Sequence, residues 1–360
     1  MEAPNVDLDD PQALAAVDGS GMLGVLDRFP EQVRAGLEIG ADASVELPAS
    51  EGLHSVAVLG MGGSGISGDV VSVLPAEGYR VPVVSVKGYR LPAFVDRASL
   101  VFAVSYSGNT EETLDTLEQA LERGARVVAV TSGGRLGEVA NERGIPLFEI
   151  PGGLQPRAAI GYLSVPVASA LERMGLTRGV TERLAGAAEM LEQRRSEYSV
   201  DIPADENPTK RLAKDLAGYL PVIYGSEGPL AVAALRWKAQ MNENAKVPAF
   251  YNWFPELNHN ETVGWQNLED VRTRCHLVVL RERDEHPRIA KRIDITIDLL
   301  EEFVGRVTQV CARGDNPAER LLDLVYFGDY TSVYLACALG QDPTPVTRIE
   351  ELKKRLAAER

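Results

Sequence analysis

Short apolar runs alternate with amphipathic stretches along most of the chain, and the alternation restarts once. His54–Leu59 (HSVAVL), Val81–Val86, Leu100–Ser105 and Arg126–Thr131 are apolar runs of strand length, rich in β-branched residues. Thr110–Arg123 lies between the last two and carries apolar residues at helical spacing. Strands alternating with helices predict a parallel sheet covered on both faces. A helix predicted at Thr181–Ser196 and the Pro- and Asp-rich Asp201–Lys210 (DIPADENPTK) follow, and then the pattern begins again. Leu220–Tyr224, His276–Leu280 and Val307–Cys311 are predicted strands, and Leu230–Ala245 and Arg288–Phe303 are predicted helices. Gly60 and Gly225, like Val101 and Leu277, stand on the order of 170 residues apart, which points to a duplicated unit.

The fold class expected is therefore α/β, with two doubly wound parallel-sheet units and flanking helices. At 360 residues the chain is long for a single core and suits two domains. The expected division is a helical segment at 1–48, a first unit at 49–200, a linker at 201–210 and a second unit at 211–360. The N-terminal segment has Ala, Leu and Val at helical spacing around Pro11–Ile39, with no task that the pattern assigns.

Composition removes several classes of function. A net charge of −15 disfavours nucleic acid as a partner, because a phosphate backbone demands Lys and Arg. No apolar stretch approaches the ~20 residues of a membrane helix. Cys275, Cys311 and Cys337 are an odd set without a CxxC pair, and the start MEAPNVDLDDPQ lacks the basic and then apolar run of a leader. Together these predict a cytoplasmic protein without a disulfide framework. No HxxxH or Cys/His cluster is present, so no metal is expected.

Two turns of the first unit suit a phosphate. Ser105-Tyr106-Ser107-Gly108-Asn109-Thr110 leaves a strand and enters a helix, so hydroxyls and freed N–H groups collect at a positive helix end. Its companion, Gly60–Gly65, offers Ser64, and Gly62 and Gly63 let backbone approach a ligand without a Cβ. The plainer alternative is that Asn109 or Thr110 merely caps the helix, with Glu112 completing a capping box. The glycine turn has neither GxGxxG spacing with a following acid nor GxxxxGK[ST]. A nicotinamide cofactor and a nucleoside triphosphate are thus poor fits, a monophosphate ester is the better one, and no cofactor is expected. The second unit has Arg281–Arg288 (RERDEHPR) where the first has its hydroxyl-rich turn.

Four segments carry a resemblance. GMGGSGISGD at Gly60–Asp69, SYSGNTEETL at Ser105–Leu114, PRAAIGY at Pro156–Tyr162 and NENAKVPAFYNWFPELNHNE at Asn242–Glu261 resemble the bifunctional phosphoglucose/phosphomannose isomerases. These are two-domain members of the sugar-isomerase (SIS) superfamily, and the resemblance runs from about residue 50 to the C-terminus. SxSGNT marks only the superfamily, which also holds sugar-phosphate sensors; the combination with PRxxxGY and NEN…NHNE is more specific. The resemblance implies an aldose–ketose isomerase joining glucose 6-phosphate and/or mannose 6-phosphate to fructose 6-phosphate through a cis-enediolate. A sensor or an isomerase of another phosphosugar is the alternative.

Ser64, Ser105, Ser107 and Thr110, with Gly62 and Gly63, are then expected to hold the 6-phosphate. Glu243 ends the helix before Pro248, and the resemblance makes it the base that moves a proton between C1 and C2. Asn242 and Asn244 beside it are plausible ligands. His259 is a histidine suited to proton traffic near neutral pH, and the resemblance makes it the ring-opening group, supplied across a homodimer interface. Arg157 is implied to stabilise the enediolate. The resemblance implies a functional lysine in an LKxxL pattern near the chain end, which falls on Lys353, with Lys354 as the alternative, and Thr344–Thr347 is expected where glucose and mannose differ. His54, His276 and His286 are expected to be structural. Phe250–Pro255 is too apolar for water and is expected between domains or subunits.

Overall fold

A computed structural model of the chain describes residues 6–75 and 77–358. Three helices come first, α1 (Pro11–Val17), α2 (Met22–Asp27) and α3 (Phe29–Ala41). The first sheet contains β1 (Ser55–Leu59), β2 (Val83–Val86), β3 (Ser99–Val104), β4 (Arg126–Thr131) and β5 (Leu147–Glu149). Its connecting helices are α4 (Gly62–Val73), α5 (Glu111–Glu122) and α6 (Gly134–Arg143). All its pairings are parallel, in the order β2-β1-β3-β4-β5. β1, β3 and β4 are buried almost throughout, which explains why they show continuous apolar runs rather than alternation.

Helices α7 (Ile160–Arg173), α8 (Val180–Tyr198) and α9 (Pro208–Leu216) lead to the second sheet. Between α8 and α9 the Pro- and Asp-rich stretch ends at the α9 cap, where the Asn207 side chain accepts from the N–H groups of Thr209 and Lys210. The second sheet has β6 (Leu220–Ser226), β7 (Phe250–Phe254), β8 (Cys275–Arg281) and β9 (Arg306–Cys311), again all parallel, in the order β7-β6-β8-β9. Its helices are α10 (Pro229–Glu243), α11 (Glu269–Arg272), α12 (Pro287–Leu300), α13 (Pro317–Ala338) and α14 (Thr347–Ala358). The order repeats that of the first sheet without its fifth strand, so the duplicated doubly wound α/β architecture is present.

Three elements differ from expectation. α13 gave no amphipathic signal because nearly every residue of it is buried, and a helix apolar all round has no hydrophobic face to detect. β5 is only three residues long, below what a pattern can resolve. Phe250–Phe254 is itself the edge strand β7: Phe254 is buried, Tyr251 packs against the main core, and Phe250 and Trp253 stay exposed.

The main core lies between the two sheets. Residues of α3, α4, α7, α8, α10 and α13 form one continuous apolar cluster with the inner faces of both sheets. The outer faces are covered separately, by α5 and α6 on the first sheet and by α12 on the second. The N-terminal helices belong to the shared layer, since Leu14, Leu26 and Val33 are buried in that cluster and α3 packs along α7 and α8. No helix of the described residues is long and apolar enough to cross a membrane.

Candidate active site

In an open parallel sheet the strand order reverses at one point, and the crevice there, beyond the carboxyl ends, accepts ligands. In the first sheet the reversal falls between β1 and β3. The two glycine- and hydroxyl-rich turns are the ones that leave these strands. Ser64 Oγ accepts a 3.1 Å hydrogen bond from Tyr106 N–H, which stitches one turn to the other and leaves the Ser64 proton free to be donated. Ser105 and Thr110 hydroxyls are 2.9 Å apart.

Thr110 is at the N-cap of α5, yet its side chain makes no capping hydrogen bond, and α4 is likewise uncapped by a side chain. Capping does not account for these residues. Asn109 does not cap either: its amide donates to Ser107 O, and its side-chain oxygen accepts from Arg135 N–H, tying the turn to α6. Gly108 makes that contact possible. Its φ is +69°, and a Cβ would stand 1.8 Å from Gly133 O. Two helix N-termini without a side-chain cap, with four hydroxyls in the two turns, are an arrangement suited to a dianion.

The second sheet reverses between β6 and β8, but charge pairs occupy that place. Arg281 is bidentate to Glu285, and Arg320 pairs with Glu282 and Asp284.

Arg157 lies in a short 3-10 turn, Pro156–Ala158, packed on the start of α4. Gly63 permits the approach, because a Cβ there would be 2.6 Å from the Pro156 carbonyl carbon and 2.7 Å from Arg157 N. The glycine-rich turn and Arg157 are thus held against each other by backbone contact. The guanidinium is buried, 3% exposed, and three of its five donors are committed. Nε donates to Asn244 Oδ1 at 2.6 Å, and Nη2 donates to Pro343 O and Thr344 O, both at 2.8 Å. The remaining Nη1 faces Glu243 Oε2 at 3.6 Å. Burial pulls the Arg157 guanidinium below its usual pKa, while the Glu243 carboxylate opposes that shift. Glu243 is the last residue of α10.

Sequence reasoning missed the frame behind this pair. Asn244, read as a plausible ligand, instead orients Arg157 and donates to Ser332 Oγ of α13 at 2.9 Å. Arg236 of α10 donates to the Arg157 carbonyl and pairs with Asp329 of α13, which also accepts from Gln240. Lys246 donates to Glu243 O at 2.7 Å and to Pro343 O at 3.0 Å, so it fastens the end of α10 to the segment that Arg157 also holds. Burial, and then the neighbouring Arg157 charge, depress the Lys246 pKa. Tyr106 anchors the approach to Arg157 by donating to Pro151 O and accepting from Leu154 N–H. The signal available for part of this frame was Asp329 and Ser332 in an otherwise apolar run, since such residues are buried only when hydrogen-bonded.

Two expected residues stand apart. His259 is exposed at the end of a 3-10 turn after β7, and its imidazole makes no hydrogen bond among the described residues. Lys353 is exposed on α14, a helix with no buried residue. Among the described residues no group of His, Cys, Asp and Glu is arranged to hold a metal ion. His276, expected to be structural, is buried between Thr308 and the Asp215 carbonyl.

Comparison with known proteins gives concordant results. Residues 205–356 match the bacterial phospho-glucose isomerase C-terminal SIS domain, and residues 53–136 match the SIS domain. The bifunctional phosphoglucose/phosphomannose isomerase of Caldicellulosiruptor bescii is 41% identical over 91% of this chain and 97% of its own length. That of Aquifex aeolicus is 40% identical over 82% of this chain and 88% of its own. A glucose-6-phosphate isomerase like protein from Thermus thermophilus shares the fold with a TM-score of 0.63 at 21% identity, over 94% of this chain and 97% of that one.

Proposed function

The chain belongs to the bifunctional phosphoglucose/phosphomannose isomerase family, and from that premise we propose that it interconverts glucose 6-phosphate and mannose 6-phosphate with fructose 6-phosphate. The observation that carries this reading is the coupling of two uncapped helix N-termini to the Arg157–Glu243 pair through the Gly63–Pro156 contact. A phosphorylated sugar anchored at one end meets a base and a fixed cation at the other.

Ser64, Ser105, Ser107 and Thr110 hold the 6-phosphate, with the backbone of Gly62 and Gly63 alongside. His259 and Lys353 assist ring opening. Glu243 takes the C2 proton of the open aldose and returns it at C1, giving the ketose through a cis-enediolate. The two free donors of Arg157 Nη1 stabilise the developing oxyanion, at little cost in reorganisation because the other three are pinned. Mannose 6-phosphate has the opposite configuration at C2, so its enediolate must rotate or rebind between proton transfers. Thr344 Oγ1 is buried without a partner beside Arg157, which supports the Thr344–Thr347 segment as the contact where the two sugars differ.

The first unit, 49–200, supplies the phosphate turns and Arg157, and the second, 211–360, supplies Glu243 and the C-terminal segment, with 201–210 between them. The working protein is a homodimer in which His259 reaches the partner's site; its exposure and lack of a partner in the single chain support this. Three free thiols, Cys275, Cys311 and Cys337, support action in the cytoplasm.

The test is fructose 6-phosphate formation from glucose 6-phosphate and, separately, from mannose 6-phosphate, in the presence of a chelator. Turnover of both is expected. Silence on both, with sugar phosphates still raising the melting temperature, would overturn the assignment and leave a phosphosugar-binding protein.

A further inference from the structure

The segment around His259 holds a carboxylate that the proposed chemistry does not use. Glu261, two residues after His259, opens a second 3-10 turn, Glu261–Gln266, directly behind the first, Glu256–His259. Its side chain reaches back to the second sheet. Glu261 Oε1 accepts from the Tyr224 hydroxyl, and Oε2 accepts from Asn252 Nδ2 at 2.5 Å. Tyr224 and Asn252 stand opposite one another in the β6–β7 register, so the pleat turns both side chains to the same face. One carboxylate thus spans two strands.

The chemistry of this seat specifies a carboxylate. Both groups that face it donate, and an ionised carboxyl only accepts, through two oxygens. A glutamine could answer the phenol, but its own amide would meet the amide of Asn252. Asn252 cannot turn over without loss, since its Oδ1 accepts from Trp253 N–H at 2.9 Å. Tyr224 is fully buried; burial and then the Glu261 carboxylate raise its pKa, so the phenol keeps the proton it donates. Trp265 Nε1, from the second turn, donates to the same phenol oxygen at 3.2 Å. With both oxygens engaged, Glu261 is not placed to take a proton from a ligand. Its neighbours are tied down as well. Leu257 is buried in one apolar cluster with Tyr224 and Phe254, and Asn258 donates to Thr296 of α12 at 2.8 Å. Between these anchors and Glu261, His259 and Asn260 are exposed.

We propose that Glu261 is the positioning residue for His259: by clamping the turn to Tyr224 and Asn252, it fixes where the imidazole stands for ring opening. Anchors on both sides of a two-residue projection leave the backbone that carries His259 little freedom. The imidazole is therefore set before a sugar arrives. Proton transfer demands that, since a displacement of about 1 Å can cost on the order of 10²-fold in rate. The clamping of the turn stands on the contacts themselves; its effect on ring opening rests on the isomerase reading.

Two readouts separate these. The histidines of the full-length protein are isotope-labelled at Cε1, and the His259 signal, assigned by its loss in His259→Gln, reports the order of the imidazole by NMR relaxation. In Glu261→Ala that signal is expected to gain motion while those of His54, His276 and His286 stay as they are; an unmoved His259 signal overturns the clamp. Tyr224→Phe removes one donor and keeps the ring in the core, so it serves where Glu261→Ala does not fold, with the same loosening expected. In the sugar assay, Glu261→Ala should lower kcat by about tenfold to 10²-fold with KM nearly unchanged, and Glu261→Gln, which keeps one of the two contacts, should lower it less. A double-mutant cycle then asks whether Glu261 acts through the imidazole. Added to the residual turnover of His259→Ala, Glu261→Ala should cost nothing further. A further loss as large as in wild type overturns the positioning role. A wild type silent on both sugars, with the His259 signal loosened by Glu261→Ala, would retain the clamp and remove the isomerase reading.

Discussion

Glu243 and Arg157 meet because each is fixed by groups that do no chemistry. Glu243 ends a helix whose terminal carbonyls Lys246 answers, and three carbonyl or amide oxygens saturate one side of the Arg157 guanidinium. Replacing Glu243 by Gln keeps the shape and removes the proposed base. Turnover should fall by roughly 10²–10⁴-fold, while a sugar phosphate still raises the melting temperature as in wild type; unchanged turnover in the folded variant would remove Glu243 from the mechanism. Gly63→Ala tests the contact between the glycine-rich turn and Arg157. Its Cβ would stand 2.6 Å from backbone that has no side-chain freedom to yield. Loss of both affinity and turnover is expected, with a lowered melting temperature, whereas Gly62→Ala meets no neighbouring atom and is opposed only by its φ of +53°.

At the scale of elements, α13 is the pillar of the second unit and carries the charge frame of the site. Asp329 is fully buried, and burial raises its pKa against the pull of Arg236 and Gln240. Removing it by Asp329→Ala leaves the Arg236 guanidinium buried and unpaired, which should cost about 3–5 kcal/mol in denaturant unfolding. Strands β8 and β9 are bridged by His276, whose Nε2 meets Thr308 Oγ1 at 2.8 Å. Burial lowers the His276 pKa below 6.5, so the folded state binds fewer protons here than the unfolded chain. This contribution to stability is present above the unfolded pKa and is lost as pH falls below about 6.5 toward the lower folded value. His276→Gln should flatten the pH dependence of the melting temperature in that window; an unaltered slope would show that His276 does not titrate on unfolding.

At the scale of the whole molecule, the two sheets share one helical layer, and the first helices are part of it. Gly36 and Gly40 of α3 lie so close to α7 that a Cβ on either would meet Val165 or Ser169 within 2.8 Å. Deleting residues 1–48 should therefore expose the core and give an aggregating or thermally labile protein rather than a trimmed enzyme, as size-exclusion chromatography and a melting curve would reveal. The segment was legible as helical but not as structural, because its spacing reports an apolar face and not what that face covers.

The duplicated α/β architecture was legible in the chain itself, and so were the two glycine- and hydroxyl-rich turns that leave β1 and β3. Buried parallel strands impose continuous apolar runs, glycines are required where backbones approach, and hydroxyls cluster where a helix end is left uncapped. These are local constraints, so they leave local marks. The resemblance carried by NEN and PRAAIGY named Glu243 and Arg157, but their 3.6 Å meeting joins residues 86 positions apart and is a property of the packed molecule. The same is true of Arg236, Lys246 and Asp329, whose roles depend on which carbonyl or carboxylate lies across the core. Tertiary structure alone also left α14 and His259 exposed, because sequence periodicity marks a surface that must be buried and only the folded chain decides which of those surfaces remain open.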